Sequence, residues 1–187
     1  MAGLLTDRDI LHFCFGVNPM IKPFEDMLIS SGVISYGLSS VGYGIRLSNQ
    51  FSELSGIIDP KERQESVSSS RHRATDGRFL LRPNSWVLGA SLEYFKMPEN
   101  LMGLVVGKST YARCGVHVFL GTLEPGWEGD ITLEIANLGN QPVWLYIGEG
   151  IAQILFFRTD ERPQITYSDR NGKYQGQRGL TYAQIGD

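Results

Sequence analysis

The chain has 187 residues, of which 42% are hydrophobic and 20% are charged, and its formal net charge is −3. This composition predicts one soluble globular domain with its own core, spanning residues 1–187, and the acidic balance argues against a protein that coats nucleic acid. No run approaches the ~20 apolar residues that cross a bilayer, and Cys14 and Cys114 suit neither a disulfide framework nor a metal site, so we expect a cytoplasmic protein without membrane contact.

The first predicted element is a short helix that begins near Thr6. Thr6 can cap the helix, and Asp9 three residues later completes a weak variant of the capping box. Ile10 and Leu11 begin an apolar face, and the helix should end before Pro19.

From about residue 33 onward the sequence consists of short apolar runs cut by glycines, such as "VISYGLSSVGYGIRLSNQF" and "QPVWLYIGEGIAQILFF". These runs are rich in β-branched and aromatic residues, which is typical of many short strands. The sequence therefore predicts a mainly β chain, a barrel or distorted sandwich, with the N-terminal helix and a short internal helix at 109–114.

Two polar stretches interrupt or follow this pattern. Residues 59–77, "DPKERQESVSSSRHRATDG", lack periodicity and predict an exposed loop that ends in a turn at Asp76-Gly77. Residues 159–187 have the composition of a frayed terminus. The regular "GKYQGQRG" within them favours an ordered role instead.

The stretch "GLVVGKSTYARCG" resembles a phosphate-binding loop only at first sight. A P-loop needs four residues between its two glycines, and Gly103 lies one residue too close to Gly107. A helix that starts here would still gather Lys108, two hydroxyls and free backbone amides into an anion site. Ser109 and Arg113 would share one face of that helix at i and i+4. A plain capped surface helix is the alternative.

Downstream, "LEPGWEGDITLEIANLG" predicts a turn followed by a strand. Alternation in "DITLEI" places three aliphatic residues on one face and Asp130, Thr132 and Glu134 on the other. A carboxylate in such a place is most often a solvated outer residue.

Several motifs in the same order resemble the dCTP deaminases, zinc-free nucleotide deaminases that share a fold with the trimeric dUTP diphosphatases. They are "TDRDI", "IKPF", "ISYGLSSVGYGIRLS", "RPNSWVLGASLEYFKMPENL", "GKSTYARCG", "LEPGWEGDITLEIAN", "GEGIAQILFF" and "GKYQGQRG". The resemblance covers nearly the whole chain. It implies a distorted β-barrel of the dUTPase-like, β-clip type, a homotrimer with sites at subunit interfaces, and a tail, 159–187, that closes over the nucleotide.

The resemblance also implies roles for individual residues. The reaction would be hydrolytic deamination of dCTP to dUTP and ammonia in pyrimidine deoxynucleotide metabolism. Glu134 would act as general base and acid, with Ser109 and Arg113 holding the attacking water and supporting the glutamate. Substrate-binding residues would be Lys108, Thr110, Gly121, Thr122, Glu124, Tyr167, Lys173 and Gln177. Mg²⁺ would enter bound to the triphosphate, and dTTP is a candidate inhibitor.

The residues are compatible with such chemistry in the absence of zinc. No histidine is followed by glutamate two residues later, and two isolated cysteines cannot complete the zinc site of the familiar deaminases. A carboxylate would have to move the protons alone. Glu134 suits this role if burial raises its proton affinity, with Arg113 opposing the shift and Ser109 aligning water.

The chain departs from the family pattern at two places. Gly44 stands where an acidic residue is usual, and the segment 117–122, which begins at His117, is altered where the family recognises the pyrimidine edge. Three functions therefore remain open: dCTP deamination, a pyrimidine deoxynucleoside triphosphate diphosphatase or bifunctional enzyme that uses Glu124, and a catalytically silent nucleotide sensor.

Overall fold

A computed structural model describes residues 3–61, 68–74, 76–119 and 121–185. Within these ranges the chain forms two helices, α1 (Asp7–Cys14) and α2 (Ser109–Ala112). The strands are β1 (Gly3–Leu4), β2 (Ile21–Lys22), β3 (Leu28–Ile29), β4 (Tyr36–Leu38), β5 (Tyr43–Ser55), β6 (Ser68–Arg73), β7 (Arg78–Leu81), β8 (Ser85–Lys96), β9 (Leu101–Gly107), β10 (Val116–Val118), β11 (Gly121–Leu123), β12 (Glu128–Asn137), β13 (Val143–Tyr146) and β14 (Gly150–Arg158). The predicted mainly β architecture with two short helices is confirmed.

The main sheet has the strand order β10-β12-β8-β5-β14-β9-β11, and its neighbours are antiparallel. The long strand β5 pairs with β14 through its first residues, 43–46, and with β8 through residues 47–52. Since β5 pairs with β14 at its start and with β8 further along, it joins the two parts of the sheet. The sheet curls around β5 into a half-barrel with the core on its concave side. β7 and β13 form a separate two-stranded ribbon.

The core is filled by residues that alternate along these strands. Leu47, Phe51 and Ile135 are essentially inaccessible to solvent, and a Cβ added to Gly89 would lie 3.2 Å from both Leu47 and Ile135. Packing at this density leaves no room for displacement of one strand against the next. The register of β8 against β12 is therefore fixed by the core.

A buried ion pair ties the bend of β5 to β8. The backbone N–H and Nε of Arg46 donate to the two oxygens of Glu93, at 3.0 and 2.6 Å, and Nη1 donates to Glu25 at 2.9 Å. Gly44 lies two residues earlier, where an added Cβ would be 2.7 Å from the Tyr36 Cα. The glycine thus allows β4 and β5 to approach each other closely and does not line the candidate site described below.

Helix α1 follows its prediction, since Asp9 Oδ2 accepts bonds from the Thr6 N–H at 3.1 Å and the Thr6 hydroxyl at 2.9 Å. The predicted loop at 59–77 is wrong in part, because β6 pairs with β5 along its whole length. An edge strand needs only main-chain partners, so a polar sequence can form one. Residues 62–67 and 75 of that stretch lie outside the described ranges. No helix among the described residues is long and apolar enough to cross a bilayer.

Candidate active site

A cavity of about 710 Å³ lies between the β12 face, β11 and the C-terminal tail. Its walls are mostly apolar, and Glu134 and Glu124 are the two carboxylates that line it. Apolar cavities of this size with a few polar groups are the usual form of small-molecule sites. Seven of the predicted site residues contribute to its lining: Gly121, Thr122, Glu124, Glu134, Tyr167, Lys173 and Gln177.

Glu134 lies in a row of residues that crosses β5, β8 and β12 and ends at Phe119, the residue after β10. On β12 it is directly opposite Leu88 of β8, which in turn is opposite Ser52 of β5. On its other side the Glu134 carbonyl accepts a bond of 3.0 Å from the Phe119 N–H. Side chains directly opposite one another share a face. The carboxyl therefore stands between an aromatic ring and an aliphatic side chain.

This apolar setting affects the carboxyl directly. Glu134 keeps access to solvent in the single chain, yet the neighbouring atoms exclude enough water to raise its pKa above the ordinary 4.5. Desolvation disfavours the charged form because fewer water dipoles stabilise it. A carboxyl that both accepts and releases protons near neutral pH needs such a shift.

The alternation predicted for "DITLEI" is found in β12. Ile131, Leu133 and Ile135 are buried, whereas the polar face is open to the tail. The tail follows that face: the Gly179 N–H donates to Asp130 Oδ2 at 2.6 Å, and the Thr181 N–H donates to Thr132 Oγ1 at 3.0 Å. The next polar residue along the strand is Glu134, so the tail leads to it.

The end of the tail reaches the same row at Ser52. The hydroxyls of Tyr182 and Ser52 lie 2.9 Å apart, and Tyr182 and Ala183 line the cavity. Gln177 pairs with β12 through its backbone, and its Nε2 donates to the Asp130 carbonyl at 2.5 Å. Tail residues between Tyr167 and Ala183 thus form a wall of the cavity.

The remaining tail residues are held by one another and by the turn before β12. The Tyr167 hydroxyl accepts from the Tyr174 N–H at 3.0 Å, and the Trp127 indole N–H donates to the Tyr174 carbonyl at 3.0 Å. Lys173 Nζ donates to the Gln184 carbonyl at 2.6 Å. The predicted tail residues Tyr167, Lys173 and Gln177 are therefore together at the cavity, engaged with protein groups.

Glu124 is paired with Arg170, a residue for which the sequence predicts no role. Nη2 of Arg170 lies 2.5 and 2.6 Å from the two Glu124 oxygens, and its guanidinium carbon is 5.0 Å from the centre of the Tyr167 ring. Trp86 and Trp127 also line the cavity although no role was predicted for them, and Phe119 lines it from within the altered segment 117–122. The sequence offers one indication that Arg170 belongs to the site, which is its position in the tail predicted to close over the nucleotide.

The predicted anion site at α2 is in another part of the chain. None of Lys108, Ser109, Thr110 and Arg113 belongs to the lining of the cavity that holds Glu134. Arg113 Nη1 donates to the Ser109 carbonyl at 3.1 Å, which agrees with the predicted i, i+4 spacing. Ser109, Thr110 and Arg113 are exposed, and burial lowers the pKa of the half-buried Lys108.

Other residues discussed from the sequence have ordinary surroundings. His117 is opposite Ala136, and its ring meets Phe119 at a right angle with 5.0 Å between centroids. Leu120 lies outside the described ranges. Cys14 is buried, which raises its pKa to about 12, and Cys114 is exposed, both as free thiols. Among the described residues, no group of three His, Cys, Asp or Glu side chains is close enough to hold a metal ion.

Comparison with known proteins agrees with the fold and with the motifs. A profile described as dCTP deaminase-like matches residues 4–159. The dCTP deaminase of Gemmatimonas aurantiaca is 44% identical over 188 residues, which cover 98% of this chain and 100% of that protein. The dCTP deaminase of Herpetosiphon aurantiacus is 47% identical over 172 residues, covering 89% of this chain and 91% of that protein.

Among solved structures, the 2′-deoxycytidine 5′-triphosphate deaminase from Agrobacterium tumefaciens aligns with 84% of this chain at 15% identity, with a TM-score of 0.64. The chain spans 48% of the length of that protein. At this level of identity the likeness shows a common fold.

Proposed function

Because this chain belongs to the dCTP deaminase family, we propose that it converts dCTP and water to dUTP and ammonia, with Glu134 moving the protons. The observation that carries the proposal is the desolvated Glu134 carboxyl, set between Phe119 and Leu88 in an apolar cavity. A carboxyl in this setting can exist in both protonation states during a catalytic cycle.

The proton transfers follow from the change in the base. The Glu134 carboxylate takes a proton from water while the water oxygen bonds to C4, and the carboxylic acid then protonates N3. The tetrahedral adduct next loses its amino group: the hydroxyl proton passes through the carboxyl to the departing nitrogen, and the C4–N bond breaks. Ammonia leaves, C4 becomes a carbonyl, and N3 keeps its proton, so one carboxyl suffices for each step.

We further propose that a homotrimer completes the site. Ser109, Thr110 and Arg113 are exposed and lie outside the cavity that holds Glu134, so a neighbouring copy would have to supply them. A guanidinium and a hydroxyl brought in this way would hold the water and limit the rise in the Glu134 pKa. Lys108 and Thr110 would then contact the phosphates from the same helix.

The tail is the second part of the proposed site. Tyr167, Lys173 and Gln177 line the cavity in the closed tail, and a triphosphate would compete with the protein groups that they now contact. Gly121 and Thr122 of β11 face the same cavity and would present the backbone to the base. Residues 159–185 would thus close over the nucleotide within a single domain.

The metal requirements follow from the substrate. The nucleotide would arrive as its Mg²⁺ complex, with the ion held by the triphosphate. Water activation is assigned to Glu134 without zinc, because Cys14 is buried at the end of α1 and Cys114 is exposed, and neither cysteine lines the cavity. The cytoplasm is the compartment in which both thiols would stay reduced.

A second candidate function rests on Glu124, which lines the same cavity. A nucleotide diphosphatase or a bifunctional enzyme could use this carboxylate to position a water at the α–β phosphate linkage. Glu124 would first have to leave Arg170, which occupies both of its oxygens. That pairing makes deamination the favoured reaction.

The products distinguish the two. Incubation of the protein with dCTP or with dUTP, in the presence of Mg²⁺, should release ammonia from dCTP alone and no pyrophosphate from either. Pyrophosphate without ammonia would assign the diphosphatase. Binding of dCTP without either product would assign a nucleotide sensor.

A further inference from the structure

Phe119 lies directly beside Glu134 in the cavity. It follows β10, whose last residue, Val118, is opposite Ile135, and the Phe119 N–H bond to the Glu134 carbonyl continues that pairing by one residue. Residues directly opposite in an antiparallel pair project to the same side. Both side chains line the cavity accordingly.

The Phe119 ring is open on the cavity side and restrained on another. Phe119 is 48% exposed, and the ring of His117 in β10 packs against it at an interplanar angle of 89°. An aromatic ring in such a concave site offers a π-face to whatever enters. The backbone bond, not the ring, holds the segment to β12, so the ring is free to serve a ligand.

We infer that Phe119 is a base-binding residue that stacks on the pyrimidine ring of the substrate. The inference rests on the proposed function, since it takes the nucleotide base as the ligand of the cavity. A planar base has two apolar faces, and its reactive atoms lie on its edge. A ring adjacent to Glu134 can cover one face while the carboxyl reaches that edge.

The chemistry of stacking predicts which part of the nucleotide depends on Phe119. Loss of one base-stacking aromatic weakens nucleotide binding by roughly 5- to 150-fold. The contribution should be confined to the base, because a phenyl ring has no charge with which to hold phosphate. Inorganic tripolyphosphate, which lacks a base, is therefore the probe that separates the two parts.

The test compares equilibrium binding of dCTP and of tripolyphosphate by calorimetry. Phe119→Ala, Phe119→Leu and Phe119→Tyr are made in the full-length protein carrying Glu134→Gln, so that turnover does not disturb the measurement. Phe119→Ala should weaken dCTP binding about 10-fold and leave tripolyphosphate binding unchanged. Phe119→Tyr should keep dCTP affinity, and Phe119→Leu should fall between them. Leu138 is 69% exposed and lies outside the cavity lining. Leu138→Ala should therefore leave the affinity for both ligands unchanged.

Equal weakening of both ligands by Phe119→Ala, or unchanged binding of both, would overturn the inference. Weaker dCTP binding together with a change in sedimentation behaviour would mean that the Phe119 ring packs against a second copy of the chain. That result would also overturn the inference. The calorimetry measures dCTP binding and does not depend on turnover. The result for Phe119 can therefore be distinguished from a failure of the proposed deamination.

Discussion

Nη2 of Arg170 lies 2.5 and 2.6 Å from the two carboxylate oxygens of Glu124, joining the tail to the residue that precedes the turn into β12. If the closed tail holds the nucleotide, Arg170→Gln should raise KM for dCTP about 2- to 5-fold, since a half-exposed ion pair contributes about 0.5–1 kcal/mol. Steady-state kinetics provide the measurement.

Arg82→Gln is the matched control for this variant. Arg82 Nη2 lies 2.8 Å from Glu53 Oε1, and neither residue belongs to the tail or to the cavity lining. Arg82→Gln should leave KM for dCTP unchanged. The tail account fails if the two variants have the same effect, or if only kcat changes in Arg170→Gln.

Gly172 provides a steric test of the same segment. A Cβ at this position would overlap the Tyr167 ring, whose hydroxyl accepts the Tyr174 N–H. Gly172→Ala should therefore displace the tail and increase cleavage by chymotrypsin after residue 160. The melting temperature should fall only modestly, because Tyr167 is partly buried and packs against the hydrophobic core from its edge. Unchanged cleavage would mean that the tail tolerates displacement of Tyr167.

The raised pKa of Glu134 predicts how stability depends on pH. Between the ordinary value of 4.5 and the raised value the folded chain binds more protons at this site than the unfolded chain. Its free energy of unfolding therefore falls as pH rises through that window, and the deficit persists above it. Glu134→Gln, which has no charge to desolvate, should melt at a higher temperature than the parent protein at pH 7.5.

The difference in melting temperature should shrink as pH falls below 4.5, where both side chains are neutral. Glu161→Gln, at an exposed carboxylate outside the cavity lining, should show no such trend. A Glu134→Gln protein that is less stable than the parent at pH 7.5 would contradict desolvation as the main influence on this carboxyl.

Assembly of the site from two subunits predicts complementation between inactive variants. Glu134→Gln and Arg113→Ala should each be nearly inactive as pure trimers. In randomly mixed trimers, about a quarter of interfaces would combine an intact Glu134 from one copy with an intact Arg113 from the next. Co-refolding equal amounts should thus restore about a quarter of the parent activity, whereas a site built within one chain would recover nothing.

The face of β12 was predictable from its sequence because strand alternation is local. Glu134 on the polar side and Ile135 in the core follow from neighbours alone. The flanking of Glu134 by Phe119 and Leu88 depends on the register of three strands, which the packed core sets. No short stretch of the sequence predicts that Phe119 and Leu88 flank Glu134.

The strand β6 and the contacts of the tail were difficult to predict from the sequence for related reasons. Ser68–Arg73 forms a strand through main-chain bonds to β5, for which side-chain pattern is a poor guide. The tail reaches β12 across 49 residues of sequence, as in the Gly179–Asp130 bond. A glycine-rich polar composition that suggests a frayed end also supplies the free N–H groups that make these contacts.

Ammonia release from dCTP by Glu134→Gln, measured alongside dCTP binding, tests the central assignment most directly. The amide has nearly the shape of the carboxyl but cannot carry the proton from water to N3 or to the departing nitrogen, so kcat should fall by at least about 100-fold. Binding of dCTP should stay within a few-fold of the parent protein. A variant that binds dCTP and still releases ammonia at the parent rate would contradict the account.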